Sequence, residues 1–189
     1  MVHGAKEEIV AVFLKELRAK PMDKITVTDI IEKSGISRNT FYYHFADIYN
    51  LLQFVLDREV ERLSKSILLL NSWPEVLKNL IDYARTYQKE IDHIYYSVPK
   101  ERIEKFIFSS TQDILYQIVR LEAKGYNVSP EEIQYIADFY RYAIIGFFLR
   151  FLWNDMSSDA EKAIDKMAVI FENNIRNLLE DCDRRNREK

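Results

Sequence analysis

Residues 26–45 read TVTDIIEKSGISRNTFYYHF, and this stretch decides the fold. Thr26 is a good helix N-cap, Asp29 stands three residues later, and Ile25 precedes the cap as a hydrophobic-staple residue. Ile30 and Ile31 form the helix's core face, and Gly35 stops it. Glycine supplies the left-handed backbone that a tight turn between two helices requires. Ser37 then caps a second short helix that runs to about His44. Ile30, Ile36, Phe41 and Phe45 have the spacing of a small core that sets the angle between the two. The second helix presents Arg38, Asn39, Thr40, Tyr42, Tyr43 and His44, with no carboxylate among them. A recognition helix needs this composition, because polar groups near its start reach base edges in the major groove and donors hold phosphates.

Outward from this stretch the pattern stays helical. Ile9, Val10, Phe13, Leu14 and Leu17 repeat at helical spacing up to about Lys20, and Pro21 ends that helix. Asp47 caps a long helix with Leu51, Leu52, Val55, Leu56, Val60 and Leu63 along one side. Ser72 before Trp73 and Pro74 predicts another start. Residues 77–98 read as one helix broken or kinked before a second, and Pro99 interrupts them. A helix over about 101–124 ends at Gly125 and Asn127. Ser129-Pro130-Glu131-Glu132 opens one that runs to about Asn154, and Ser158 with Glu161 opens a last one to about Cys182. The polar tail, 183–189, is expected to fray. No strand pattern, internal repeat or low-complexity segment interrupts the series, so the fold is all-α.

The bulk numbers agree. The chain of 189 residues is 48% hydrophobic and 30% charged, and its 4 Gly and 4 Pro leave few places for turns. The longest strongly apolar run, 142–149, lies between Arg141 and Arg150 and is far shorter than the roughly 20 residues a membrane helix needs. With one cysteine, Cys182, no internal disulfide forms, which suits a reducing cytoplasm; the expected location is cytoplasmic. The net charge of -3 conceals an asymmetry: seven basic and six acidic residues in 1–45 give the head +1 and the remainder -4. No glycine-rich phosphate loop, paired-histidine metal motif or G-x-S-x-G turn is present, and Cys182 falls on the apolar face of the last helix. No enzyme activity, metal or cofactor is expected.

The chain resembles the TetR family of transcriptional regulators. Ile25-Thr26, Gly35-Ile36-Ser37, Thr40 to Phe45 and Leu51-Leu52 carry the resemblance, which covers about residues 5–63. It implies a helix-turn-helix head over 1–46, its signature extending to about 63, on a helical ligand-sensing and dimerising body over 47–189. It also implies that Ser37, Arg38 and Asn39 face base edges, while Thr26, Thr28, Thr40, Tyr42, Tyr43 and His44 contact phosphates or the groove edge. Arg38 is the candidate for a bidentate guanine contact, with a backbone phosphate as the alternative. One position departs: Ile48 stands where family members usually place a phosphate-contacting lysine. The position thus loses a charge at the DNA edge, where Tyr49 offers a hydroxyl instead; the alternative is that Ile48 simply packs under the head.

For the body, apolar residues on all sides of the helix after Ser129 and a stripe on the last helix suggest a four-helix interface between two copies. Ile144, Phe147, Phe148, Phe151, Met167, Phe171, Ile175 and Leu178 are the candidate interface residues. The resemblance implies an effector pocket in the middle helices, for which Tyr83, Tyr87, His93, Tyr96, Phe106, Tyr116 and Tyr140 offer apolar rings with polar tips or packing. The expected partners are therefore an operator in double-stranded DNA, a second copy of the chain and a small-molecule effector, with no membrane. The expected function is a ligand-responsive repressor; the alternative is an adaptor or coactivator that keeps the head without using it on an operator.

Overall fold

A computed structural model describes residues 2–67, 73–157 and 159–188. The described residues form helices joined by short turns, with no strand among them: α1 (Val2–Ala19), a 3-10 turn (Met22–Lys24), α2 (Val27–Ser34), α3 (Arg38–His44), α4 (Ile48–Ile67), α5 (Trp73–Thr86), α6 (Gln88–Tyr95), α7 (Lys100–Glu122), α8 (Pro130–Trp153) and α9 (Ala160–Arg187). The expected break within 77–98 falls at Tyr87. Ser72 and Ser158, read above as caps, lie outside the described residues; Asp159 occupies the N-cap position of α9.

The chain divides into two compact units, Met1–Leu63 with Tyr87–Ile103, and Ser64–Thr86 with Glu104–Lys189. The first unit is built on a core of Ile9, Phe13, Leu17, Ile30, Phe41, Phe45 and Leu51, against which Ile36 and Ile48 also pack. These residues come from α1 to α4, so the angle between α2 and α3 is held by apolar contacts that neither helix supplies alone. α6 adds polar ties to the end of α1. Arg18 Nε lies 2.5 Å from Glu90 Oε1, and His93 Nδ1 lies 2.7 Å from the Leu17 carbonyl oxygen. The carbonyl only accepts, so His93 carries its proton on Nδ1 and donates.

In the second unit, α8 buries Ile136, Ala137, Tyr140, Ile144 and Phe151, and α9 buries Ile164, Ala168, Phe171, Ile175 and Leu179. Arg85 of α5 pairs with Glu161 of α9, and Lys78 with Asp165 at 2.6 Å.

The last helix is longer than the sequence reading gave it, running to Arg187 where an end near Cys182 and a frayed tail were expected. The turn before α8 holds it. Asp183 Oδ1 accepts from the Asn127 backbone N–H at 2.6 Å. Asn186 Nδ2 donates to the Asn127 carbonyl and to Glu132 Oε2, each at 2.9 Å. Arg187 and Asp183 add a pair one turn apart at 2.8 Å. A polar tail with tertiary partners for its side chains gains enough to stay helical.

Candidate nucleic-acid interface

The entry to α2 is fixed by a complete capping box. Thr26 Oγ1 accepts from the Asp29 N–H at 3.1 Å, and Asp29 Oδ2 accepts from the Thr26 N–H at 2.9 Å. The Thr26 hydroxyl hydrogen also goes to Asp29 Oδ2, at 2.9 Å. Behind the cap lies an ion network between α1 and α2. Lys20 Nζ meets Asp29 at 2.9 Å and Glu16 at 3.3 Å, and Lys33 Nζ meets Glu16 at 2.6 Å. Glu16 is buried. Its lysine partners, Lys33 first, hold its carboxyl below the usual range against the opposing effect of burial. Lys20 and Lys33 are therefore committed to the architecture of the head.

Asp29 is pulled down to about 2, first by Lys20 and then by the Thr26 backbone N–H. A carboxylate with a depressed folded value stabilises the fold fully above its unfolded pKa and loses that contribution as pH falls through the folded one. The deficit in Tm of Asp29→Asn against the parent should thus be full near neutral pH and shrink between about pH 4 and about pH 2. An acid series of thermal melts checks this; a deficit constant over that range would contradict it.

Gly35 closes α2 at φ 68°, ψ 16°, the left-handed conformation expected of it. Ser37 then caps α3: its Oγ accepts from the Thr40 N–H at 3.0 Å and lies 2.8 Å from Thr40 Oγ1. That hydroxyl pair consumes one of two hydroxyl hydrogens, so one is left to donate outward. Arg38 and Asn39 in the first turn of α3 are exposed, as are Thr26, Thr28 and Ser37. Tyr43 is 76% exposed and Tyr42 46%. The Arg38 guanidinium carbon sits 5.7 Å from the centre of the Tyr42 ring. His44 is half-buried, stacked edge-on to Tyr43 at 5.0 Å. Its Nε2 is buried without a hydrogen-bond partner, so it is less open to a phosphate than its neighbours. The exposed face of α3 is thus a guanidinium, an amide and two phenols, with no carboxylate on the helix.

At the start of α4, Asp47 Oδ1 accepts from the Asn50 N–H at 2.7 Å. Ile48 packs against the head core. Tyr49 remains at the surface, with the guanidinium carbon of Arg102 5.0 Å from its ring centre. Sequence reasoning did not single out Arg102, because nothing local links positions 49 and 102.

Residues 9–54 match the pattern of bacterial regulatory proteins of the tetR family. Residues 71–173, more than half of the chain, match a transcriptional regulator C-terminal region of the same family. The chain belongs to the TetR family. It is a DNA-binding transcription regulator with a helix-turn-helix head and a helical C-terminal region. No curated protein matches it in sequence. Among solved structures it is similar to the dihydroxyacetone kinase operon activator DhaS, with 19% identity and a TM-score of 0.65 over 95% of this chain and 98% of that one. That likeness shows the fold. Among the described residues no helix of the regulator is long and apolar enough to cross a membrane.

The residues suggested for an effector pocket do not gather in one unit. Tyr87, His93 and Tyr96 belong to the first, with Tyr96 65% exposed and His93 tied to α1. Tyr83, Phe106, Tyr116 and Tyr140 belong to the second. Tyr140 is 1% exposed, and its hydroxyl has no hydrogen-bond partner. Beside it, Arg141 meets Asp138 at 2.7 Å and the Phe108 carbonyl at 3.5 Å, and its Nε is buried without a partner.

Four of the suggested interface residues, Ile144, Phe151, Phe171 and Ile175, are buried within their own chain. Phe147, Phe148 and Met167 are half-buried, and Leu178 is exposed. Apolar side chains not suggested by the sequence also reach the surface of the body, among them Tyr135, Phe139 and Tyr142 on α8, and Val169 and Ile170 on α9. Ala143 and Gly146 continue the α8 surface with small residues. Sequence had shown α8 apolar all round; it did not show which side faced inward.

Proposed function

We propose that the regulator acts as a homodimer on a near-palindromic operator and represses transcription until a small molecule binds its body. The observation that carries the dimer is the exposed stripe Tyr135, Phe139 and Tyr142 on α8, with Val169 and Ile170 also exposed on α9. Large aromatic and aliphatic side chains at this density on adjacent helices mark a protein interface. Two copies joined there would carry two recognition helices to half-sites about 34–36 Å apart. Repression is the direction the family resemblance implies; the similar DhaS is an operon activator, and transcription in vitro with and without the protein decides between the two.

The effector reading is supported by the polar atoms left unpaired on Tyr140 and Arg141. Burial pushes the Tyr140 phenol up, so it stays protonated and offers a donor to a ligand oxygen. An unpaired buried hydroxyl costs about 1–3 kcal/mol. Tyr140→Phe should therefore leave the ligand-free protein as stable as the parent or more so, with DNA binding intact and the response to effector reduced. Thermal melts and operator release together test this. A clear loss of stability would show that the hydroxyl has a structural partner.

Selection from a random DNA pool at moderate salt tests the whole reading. Enrichment of a near-palindrome supports a dimeric sequence-specific regulator. No enrichment by a folded, dimeric protein favours the adaptor.

A further inference from the structure

Arg102 joins the head from a distant part of the chain. It lies in the first turn of α7, yet Tyr87–Ile103 packs with the head. There its guanidinium carbon stands 5.0 Å from the ring centre of Tyr49, and both side chains are exposed. Tyr49 lies in the first turn of α4, only three residues, 45–47, after the end of α3. The leading amides of such a turn have no intrahelical acceptor and favour an anion. Ile48 brings no charge to this edge, because it packs into the head core. Lys100 and Arg102 both sit in the first turn of α7, where cations oppose the helix dipole. An approaching anion would reverse that penalty. The nearest carboxylates in sequence are Asp47, whose Oδ1 already accepts from the Asn50 N–H, and Glu101.

We propose that Arg102, stacked on Tyr49, contacts a DNA backbone phosphate at the start of α4 and supplies the charge that Ile48 lacks. This rests on the DNA-binding reading above. The neighbouring ring restricts the guanidinium, whose planar fork of N–H donors matches two phosphate oxygens. The Tyr49 hydroxyl is a second donor to the same group.

The test is a salt series of binding constants on the selected operator for the parent, Arg102→Ala, Arg102→Gln and Arg102→Ala with Ile48→Lys. Loss of one phosphate contact should flatten the slope of log K against log salt by about 0.9 per bound protomer. It should weaken binding several-fold at low salt and equally on the operator and on altered sequences. Arg102→Gln keeps a planar group over Tyr49 without the charge and should behave like Arg102→Ala. Ile48→Lys should restore the slope. A parent that binds, with either folded Arg102 variant at the parent's slope, overturns the proposal alone. A parent that shows no salt-dependent DNA binding overturns the DNA reading and this proposal with it.

Discussion

Replacing Arg38 by alanine should erase the regulator's preference for one base in each half-site, reducing discrimination there by about 5- to 150-fold. A bidentate arginine–guanine contact is worth ~1–3 kcal/mol against the wrong base, which sets that range. The side chain is exposed in the first turn of α3, where a helix entering the major groove brings its residues to base edges. The Tyr42 ring, 5.7 Å away, limits its freedom before DNA arrives, so less entropy is lost on binding. Competition binding with operators substituted one position at a time measures the effect. If Arg38 instead meets a phosphate, the alanine variant will weaken binding evenly on all sequences and flatten the salt slope by about one. Arg38→Lys adds a second reading, since lysine keeps the charge and loses the fork.

The second large effect is expected at Phe139. Its ring is 65% exposed on α8, between Tyr135 and Tyr142. If this stripe is the dimer face, Phe139→Glu places a carboxylate at its centre and should weaken association by about 2–4 kcal/mol or more, as at interface hot spots. That is about 30- to 1000-fold in Kd. Sedimentation at micromolar concentration should then show a monomer with unchanged helicity and thermal stability in the body. Phe151→Ala is the contrasting variant. Phe151 is 2% exposed within the protomer, so its truncation should cost about 3–5 kcal/mol of folding stability. A Phe139→Glu protein that remains dimeric would place the interface elsewhere. A monomer that still selects a full palindrome would separate dimerisation from DNA recognition.

The ion network behind the recognition face accounts for the weak positive charge of the head. Lys20 and Lys33 hold Asp29 and Glu16, Arg18 holds Glu90, and Lys6 lies 3.8 Å above the Phe54 ring. Most of the head's cations therefore serve its own packing, and Arg38 stands as the basic residue of α3. Net charge was a poor guide because it does not separate charges that face solvent from charges neutralised inside the fold.

Much of the head could be read directly from the chain. The caps at Thr26, Ser37 and Asp47, the capping box at Ser129 with Glu132, and the glycine turn at Gly35 all appear as expected. Each depends on residues three or four apart, or on one residue's own backbone preference, so local chemistry is sufficient. The tertiary structure alone decided the rest. On α8 it turned Ile144 and Phe151 inward and left Phe139 outside, a choice that helical periodicity cannot make for a helix apolar on every side. It carried α9 past Cys182 because Asn127 and Glu132, over fifty residues earlier, hold Asp183 and Asn186. It set His93 against Leu17 and Arg102 over Tyr49. Such contacts join positions far apart in sequence, and only the closing of the chain around its core brings them together.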